Sequence, residues 1–202
     1  MKKDNKRADL LKVAAGVFAR HGYEKTTLED IAVAAGLNKA TLYYYFKDKE
    51  AIFSGVVMSE LATLMASLRK QSDGQPSAEQ KILYYIRHRW TCYEKALNIS
   101  EVADTVRERV SSLLRNLYQQ IQEEEINYLT SVLKYGLDQK EFKGVDPSFA
   151  ALLVTMWNGI KRETFIKHLP SGKKHSAIYR IVKTDTEQAT LLLLNGFKNN
   201  KR

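Results

Sequence analysis

Apolar residues in this chain recur at intervals of three and four, and alternating β-branched runs are scarce. With only three prolines and ten glycines in 202 residues, the pattern predicts an all-α protein. A first helix from about Asp9 to His21 sets Leu10, Leu11, Ala14, Val17 and Phe18 on one side, and Gly22 stops it in the C′ position. In TTLEDIAVAAG, Thr27 and Asp30 form a capping box for a helix of two turns ended by Gly36. Asn38 caps a third short helix, and Asp48 caps a long fourth one with Ile52, Phe53, Val56, Val57, Leu61, Leu64, Met65 and Leu68 on its apolar face. QSDGQP, residues 71–76, suits only a loop.

Ser77 and Gln80 then supply a further capping box, and Ile82, Ile86, Trp90, Tyr93 and Leu97 follow as a helical stripe. A helix or pair of helices covers about Ser100 to Tyr135 and ends at Gly136. Asp146 as N-cap with Pro147 at N1 opens a helix to about His168, LPSGKKH is a basic loop, and a capping box from Thr184 to Glu187 starts the last helix. The character of the elements changes once. Residues 1–47 make three short helices with tight turns, and residues 48–202 make long helices suited to a bundle, so two domains are expected. No internal repeat or low-complexity segment is present.

The third helix carries the most specific signal. LNKATLYYYFKDKE, residues 37–50, sets Tyr43, Tyr44 and Tyr45 in a row on an element too short to bury three aromatics on one side. At about 100° per residue, Leu42 and Phe46 share one face, and Ala40, Thr41 and Tyr44 point away from it. Tyr43 and Tyr45 fall on opposite flanks, where a ring leans on the core and a hydroxyl reaches outward. A small residue for close approach, side chains for base edges and flanking donors for phosphates are what a helix in a DNA major groove needs. Two short helices joined across Gly36 make a helix-turn-helix whose second helix enters that groove.

TTLEDIAVAAGLNKATLYYYFKDKEAIF resembles the DNA-binding signature of the TetR family of transcriptional regulators, including its T-LY-YF-K-KE core. The resemblance covers residues 8–57; beyond them only the helical layout and the DP-led helix near residue 147 are similar. It assigns Lys39, Ala40, Thr41 and Tyr44 to base-edge or groove contacts, and Thr27, Tyr43, Tyr45 and Lys49 to the DNA backbone. Ala40 stands where the family often has glycine or proline, and Tyr44 occupies a variable position, so the operator sequence is not legible. Lys2, Lys3, Lys6 and Arg7 read either as a disordered basic arm or as a solvated tail.

Charge agrees with a polyanionic partner. The chain holds 32 basic against 23 acidic residues, a net charge of +9. The single cysteine, Cys92, permits no internal disulfide and suits a reducing compartment. The basic start lacks the apolar run of a secretory signal, and the longest apolar run, FAALLVTMW, is far shorter than the eighteen or more residues of a membrane span. A cytoplasmic protein is expected. No nucleophile with its base, paired carboxylates or phosphate-binding glycine loop is seen, so no enzyme and no cofactor are expected. His88 and Cys92 share one helix face, but two ligands do not make a metal site, and none is assigned.

For the larger domain the resemblance implies a ligand pocket enclosed by the fourth to seventh helices, and a homodimer formed by the last two. Small residues Ala150, Ala151 and Gly159 on the seventh helix, together with Val154, allow the close approach this requires. A two-fold dimer would present two reading helices about one DNA turn apart to a palindromic duplex operator. Trp90, Tyr93, Tyr118 and Trp157 lie on apolar stripes and are the candidate lining for an unknown small organic effector; the same pattern also suits plain core. Glu125 reads as an exposed glutamate at a stripe's edge, with reception of a cationic ligand as the other reading. The function expected is a dimeric repressor released from its operator by an effector, and the rival is a nucleoid-associated or architectural DNA binder without an inducer.

Overall fold

A computed structural model describes residues 2–98 and 104–198. The described chain is helical throughout: α1 (Lys2–Lys25), α2 (Leu28–Ala34), α3 (Lys39–Tyr45), α4 (Lys49–Asp73), α5 (Ala78–Asn98), α6 (Asp104–Asp138), α7 (Phe149–His168) and α8 (His175–Phe197), with a 3₁₀ turn at Leu169–Ser171. An isolated antiparallel bridge pairs Phe142 with Lys198. Two compact units emerge, one of Met1–Thr63 with Lys95–Gln119, the other of Leu64–Glu94 with Gln120–Arg202.

In the first unit, the core comprises Leu10, Leu11, Ala14, Val17 and Phe18 of α1, Ile31 and Ala32 of α2, Leu42 of α3, and Ile52, Phe53, Val56 and Val57 of α4, with the Phe18 and Phe53 rings edge to face at 5.4 Å. Each of these side chains larger than alanine contributes roughly 1.5–3 kcal/mol by leaving water. Gly22, at φ 74° and ψ 163°, breaks the helical path where the sequence places a C′ glycine. The expected start of α1 is corrected: its helix begins at Lys2, so the basic N-terminal residues are its first turns, neither arm nor tail. The Arg7 guanidinium lies 4.9 Å from the Phe46 ring centroid, an aromatic–cation contact that a loose tail would lack. Gly36 has φ 65° and lets α2 turn into α3 within a few residues. By composition and length alone α4 could cross a membrane, but 56% of its apolar stretch is buried inside the protein.

In the second unit, Trp90 and Tyr85 of α5, Leu129 and Leu133 of α6, Leu153, Val154 and Trp157 of α7, and Ile178, Val182 and Leu194 of α8 form the core. Three helix bounds depart from the expectation. Gly136 does not end α6; it is packed against Phe142 and Ala78 inside the helix, and the chain turns only at Lys140, which takes φ 56°. α7 begins at Phe149, because Asp146 Oδ1 accepts the Ser148 N–H at 2.8 Å in a turn that precedes the helix. α8 begins at His175, and Thr184 sits mid-helix donating to the Arg180 carbonyl, so the Thr184–Glu187 pattern is no cap there.

Candidate nucleic-acid interface and interior site

α3 is held by two kinds of force. At its start, Asn38 Oδ1 accepts both the Thr41 N–H and the Thr41 hydroxyl at 2.8 Å, satisfying an orphan donor of the first turn. Along its inner side Leu42 is 1% and Phe46 4% exposed. The opposite side is open: Lys39 and Ala40 are exposed, Thr41 is half-buried, and Tyr44 is 66% exposed. Tyr43 is exposed on one flank and Tyr45 half-buried on the other, with the Tyr44 and Tyr45 rings edge to face at 5.1 Å. Exposed aromatic rings beside a lysine and a small residue form a rim that can meet base edges and phosphates together.

The supports of this rim are polar and local. The Thr27 hydroxyl donates to Asp30 Oδ2 at 2.7 Å and accepts the Asp30 N–H, while the Thr27 N–H donates to the same carboxylate at 2.8 Å. The backbone bond from Thr27, then its hydroxyl, holds the Asp30 carboxyl below its ordinary range. Thr27 is thus fixed on the surface at the start of α2. Lys49 stands elsewhere in the scheme. Its ammonium donates to the Tyr23 and Thr26 carbonyls at 3.0 Å, reaches the Glu24 carbonyl at 3.5 Å, and lies 4.3 Å from the Tyr23 ring centroid. It ties the start of α4 to the carbonyls that end α1, and a phosphate would have to compete for those hydrogens.

The second unit holds a buried polar cluster among aromatic rings. Arg89 is 1% exposed and grips Glu125, itself 0% exposed, through Nε to Oε1 at 2.6 Å and Nη2 to Oε2 at 2.8 Å. The Tyr85 hydroxyl donates to Glu125 Oε1 at 3.0 Å, and Asn158 Oδ1 accepts a second bond from Arg89 Nη2 at 3.0 Å. Trp90, Tyr93 and Trp157 surround the guanidinium, with ring centroids 4.1, 4.8 and 5.7 Å from its Cζ. Burial disfavours the charged guanidinium, but Glu125 outweighs that penalty and Arg89 stays protonated beyond its ordinary range. Burial, reinforced by Glu125, pushes the Tyr85 phenol well above its ordinary value. The expectation of an exposed Glu125 is therefore overturned: the carboxylate lies inside because a guanidinium and a phenol meet it there.

The four aromatic candidates are placed differently. Trp90 and Trp157 are fully buried, their indole N–H groups donating to Thr186 Oγ1 at 3.0 Å and Thr190 Oγ1 at 2.8 Å, one turn apart on α8. Tyr93 joins them at the Arg89 cluster, whereas Tyr118 is half-buried and belongs to the first unit. His88 is drawn to its own helix, its Nδ1 2.8 Å from the Tyr84 carbonyl oxygen and its ring stacked on Tyr84. Among the described residues no group of three metal-ligating side chains forms.

The family model for bacterial regulatory proteins of the tetR family matches residues 10–56, the stretch that builds α1 to α3 and opens α4. Those residues are a TetR-family DNA-binding domain. It is 28% identical over 171 residues to the HTH-type transcriptional regulator YfiR of Bacillus subtilis, covering 78% of this chain and 79% of that one. Its fold is similar to that of a transcriptional regulator from Cytophaga hutchinsonii, with a TM-score of 0.72, 22% identity and coverage of 94% and 97% of the two chains. A more distant likeness, with a TM-score of 0.51, 20% identity and coverage of 90% and 95%, is to the regulator FadR of Bacillus subtilis, solved in complex with stearoyl-CoA. In the second unit, sequence reasoning missed Arg89, Asn158 and Lys161. Arg89 and Glu125 lie on different helices, and single-chain periodicity carries no signal for which polar residues of two stripes will meet.

Proposed function

We propose that the protein is a dimeric repressor that holds a palindromic duplex operator through α3 and releases it when a small organic effector enters the second unit. The observation that carries the DNA reading is the division of α3 into a buried face, Leu42 and Phe46, and an open rim of Lys39, Ala40, Thr41 and Tyr44. In this reading those four side chains meet the groove, and Thr27, Tyr43 and Tyr45 meet the phosphates beside it. Lys49 adds charge at the backbone while it clamps the end of α1. That the distantly similar FadR was solved in complex with stearoyl-CoA supports response to an organic effector, which this reading places in the second unit. There Trp90, Tyr93 and Trp157 would supply aromatic walls; Tyr118, in the first unit, is not part of them. A cytoplasmic site of action follows from the partner, DNA.

Homodimer formation rests on α7 and α8. Leu152 and Ile166 of α7 and Leu192 of α8 are 56%, 62% and 74% exposed, and apolar side chains of that size on neighbouring helices suit a second copy. The effector acts only through a difference in affinity between the DNA-competent and released arrangements. Selection of duplexes from a random pool tests the first half of the reading. Tyr44→Ala should recover a different consensus without changing thermal stability, and Lys39→Ala should relax the consensus at the base pair it meets and, through the positive charge lost beside the phosphates, lower the log–log salt slope by up to about 0.9. An unchanged consensus together with an unchanged slope would show that α3 is not the reading helix. A compound screen scored by loss of operator binding tests the second half, and an architectural DNA binder is the outcome in which no compound releases the duplex.

A further inference from the structure

The charges gathered around Arg89, those of buried Arg89 and Glu125 and half-buried Lys161, do not cancel. Glu125 neutralises Arg89, but Lys161, one turn beyond Trp157 and Asn158 on α7, brings a second cation to the same rings. Its Nζ lies 5.8 Å from the Trp90 centroid and 5.7 Å from that of Tyr93, the two rings that Arg89 also approaches. Among the described residues no carboxylate pairs with Lys161: Glu94 is taken by Lys183 at 3.0 Å and Glu125 by Arg89 and Tyr85. Arg89 Nη1 is buried and makes no hydrogen bond, although every other donor-bearing nitrogen of that guanidinium is engaged. A buried N–H without an acceptor keeps its full desolvation penalty, the more so when charged, so the fold maintains an unfilled demand for an anion here.

We propose that Lys161 Nζ and Arg89 Nη1 receive the carboxylate of the effector, whose apolar or aromatic body rests against Trp90 and Tyr93. This rests on reading the second unit as the effector domain. The charge count selects the class: one negative charge balances the surplus of one, whereas a phosphate monoester, carrying up to two, would leave a net buried anion. Two cations fixed on aromatic faces also favour a compact planar oxyanion over a neutral hydroxyl or amide. Burial, and then the neighbouring Arg89, push the Lys161 ammonium down to about 8, the behaviour of a cation lacking its counter-ion.

The test uses the full chain and the emission of its two tryptophans, Trp90 and Trp157, both of which lie on this cluster. Decanoate and phenylacetate are titrated beside decanol, phenylacetamide, decylamine and decyl phosphate, with thermal shift as the second readout. At least one carboxylate should shift both signals at a concentration tenfold or more below its neutral, cationic and phosphate counterparts. Lys161→Met should lose that binding by tenfold or more while remaining folded, and Lys161→Arg should restore it. Equal binding of acid and amide, tighter binding of the phosphate, unchanged binding in Lys161→Met, or no shift by either acid would overturn the inference. If decanol or decylamine instead released operator DNA, the effector reading would stand and the carboxylate inference alone would fall. If the chain bound no operator, the repressor reading would fall while carboxylate binding stayed measurable by emission.

Discussion

At the scale of single residues, the Arg89–Glu125 pair is a buried ion pair whose removal should depend on how it is removed. Replacing Arg89 with Leu strands a carboxylate that is 0% exposed, and replacing Glu125 with Leu strands the guanidinium; each should cost about 3–5 kcal/mol in denaturant unfolding. The double replacement should cost far less than the sum, since a pair taken from water recovers only part of its desolvation. Additive losses would mean that the two side chains act through separate contacts. Lys161 gives the pH counterpart. Its folded value of about 8 lies below the ordinary 10.5, chiefly through burial, so between these values the unfolded chain binds a proton that the folded chain does not. Stability should therefore rise from pH 8 towards pH 10 through this group, and Lys161→Met should abolish the rise. Lys161 keeps part of its surface in water, which screens the penalty, so the variant should gain only about 1 kcal/mol at neutral pH. The window closes near the ordinary phenol value of 10.0, because burial holds Tyr128 up at about 12 and Tyr85 well above its own, and both then work in the opposite direction.

At the scale of elements, legibility followed the range of the interaction. The caps of α2, α3 and α4 were readable because donor and acceptor lie three residues apart: Asp30 with Thr27, Thr41 with Asn38, and Ala51, whose N–H donates to Asp48 Oδ1 at 2.7 Å. α8 was misread for the converse reason. A Thr-x-x-Glu pattern marks a start only where the preceding residues are not helical, and Ile178, Tyr179 and Val182 already bury one face of the same helix. The start of α5 shows what local reading misses entirely. Ser77 Oγ accepts the Gln80 N–H at 3.2 Å as the pattern suggests, but the N–H groups of Ala78 and Glu79 donate to the Glu141 carboxylate at 2.7 and 2.8 Å from far along the chain. An anion at that end also meets the positive pole of α5. Glu141→Ala should therefore cost about 1–3 kcal/mol and raise amide exchange in the first turn of α5. Unchanged protection of those amides would remove Glu141 from the capping scheme.

At the scale of the whole molecule, affinity for DNA is an argument about copy number. One α3 is a rod of seven residues with few side chains on its open rim, and the basic surplus of +9 is shared with any polyanion. Specific binding at physiological salt therefore needs two rims acting together, which turns the second contact into an intramolecular one. If the exposed Leu152 and Leu192 form the face between copies, Leu152→Glu combined with Leu192→Glu should desolvate charge on association and shift sedimentation from dimer to monomer. Neither side chain is part of the buried core, so thermal stability of the separated chain should change by less than about 1 kcal/mol. The monomer should bind a palindrome no better than a single half-site, at least a hundredfold more weakly than the dimer, while retaining the α3 consensus. A variant that stays dimeric would move the interface off these leucines, and a monomer with undiminished preference for the palindrome would show that the two rims do not need a common protein scaffold.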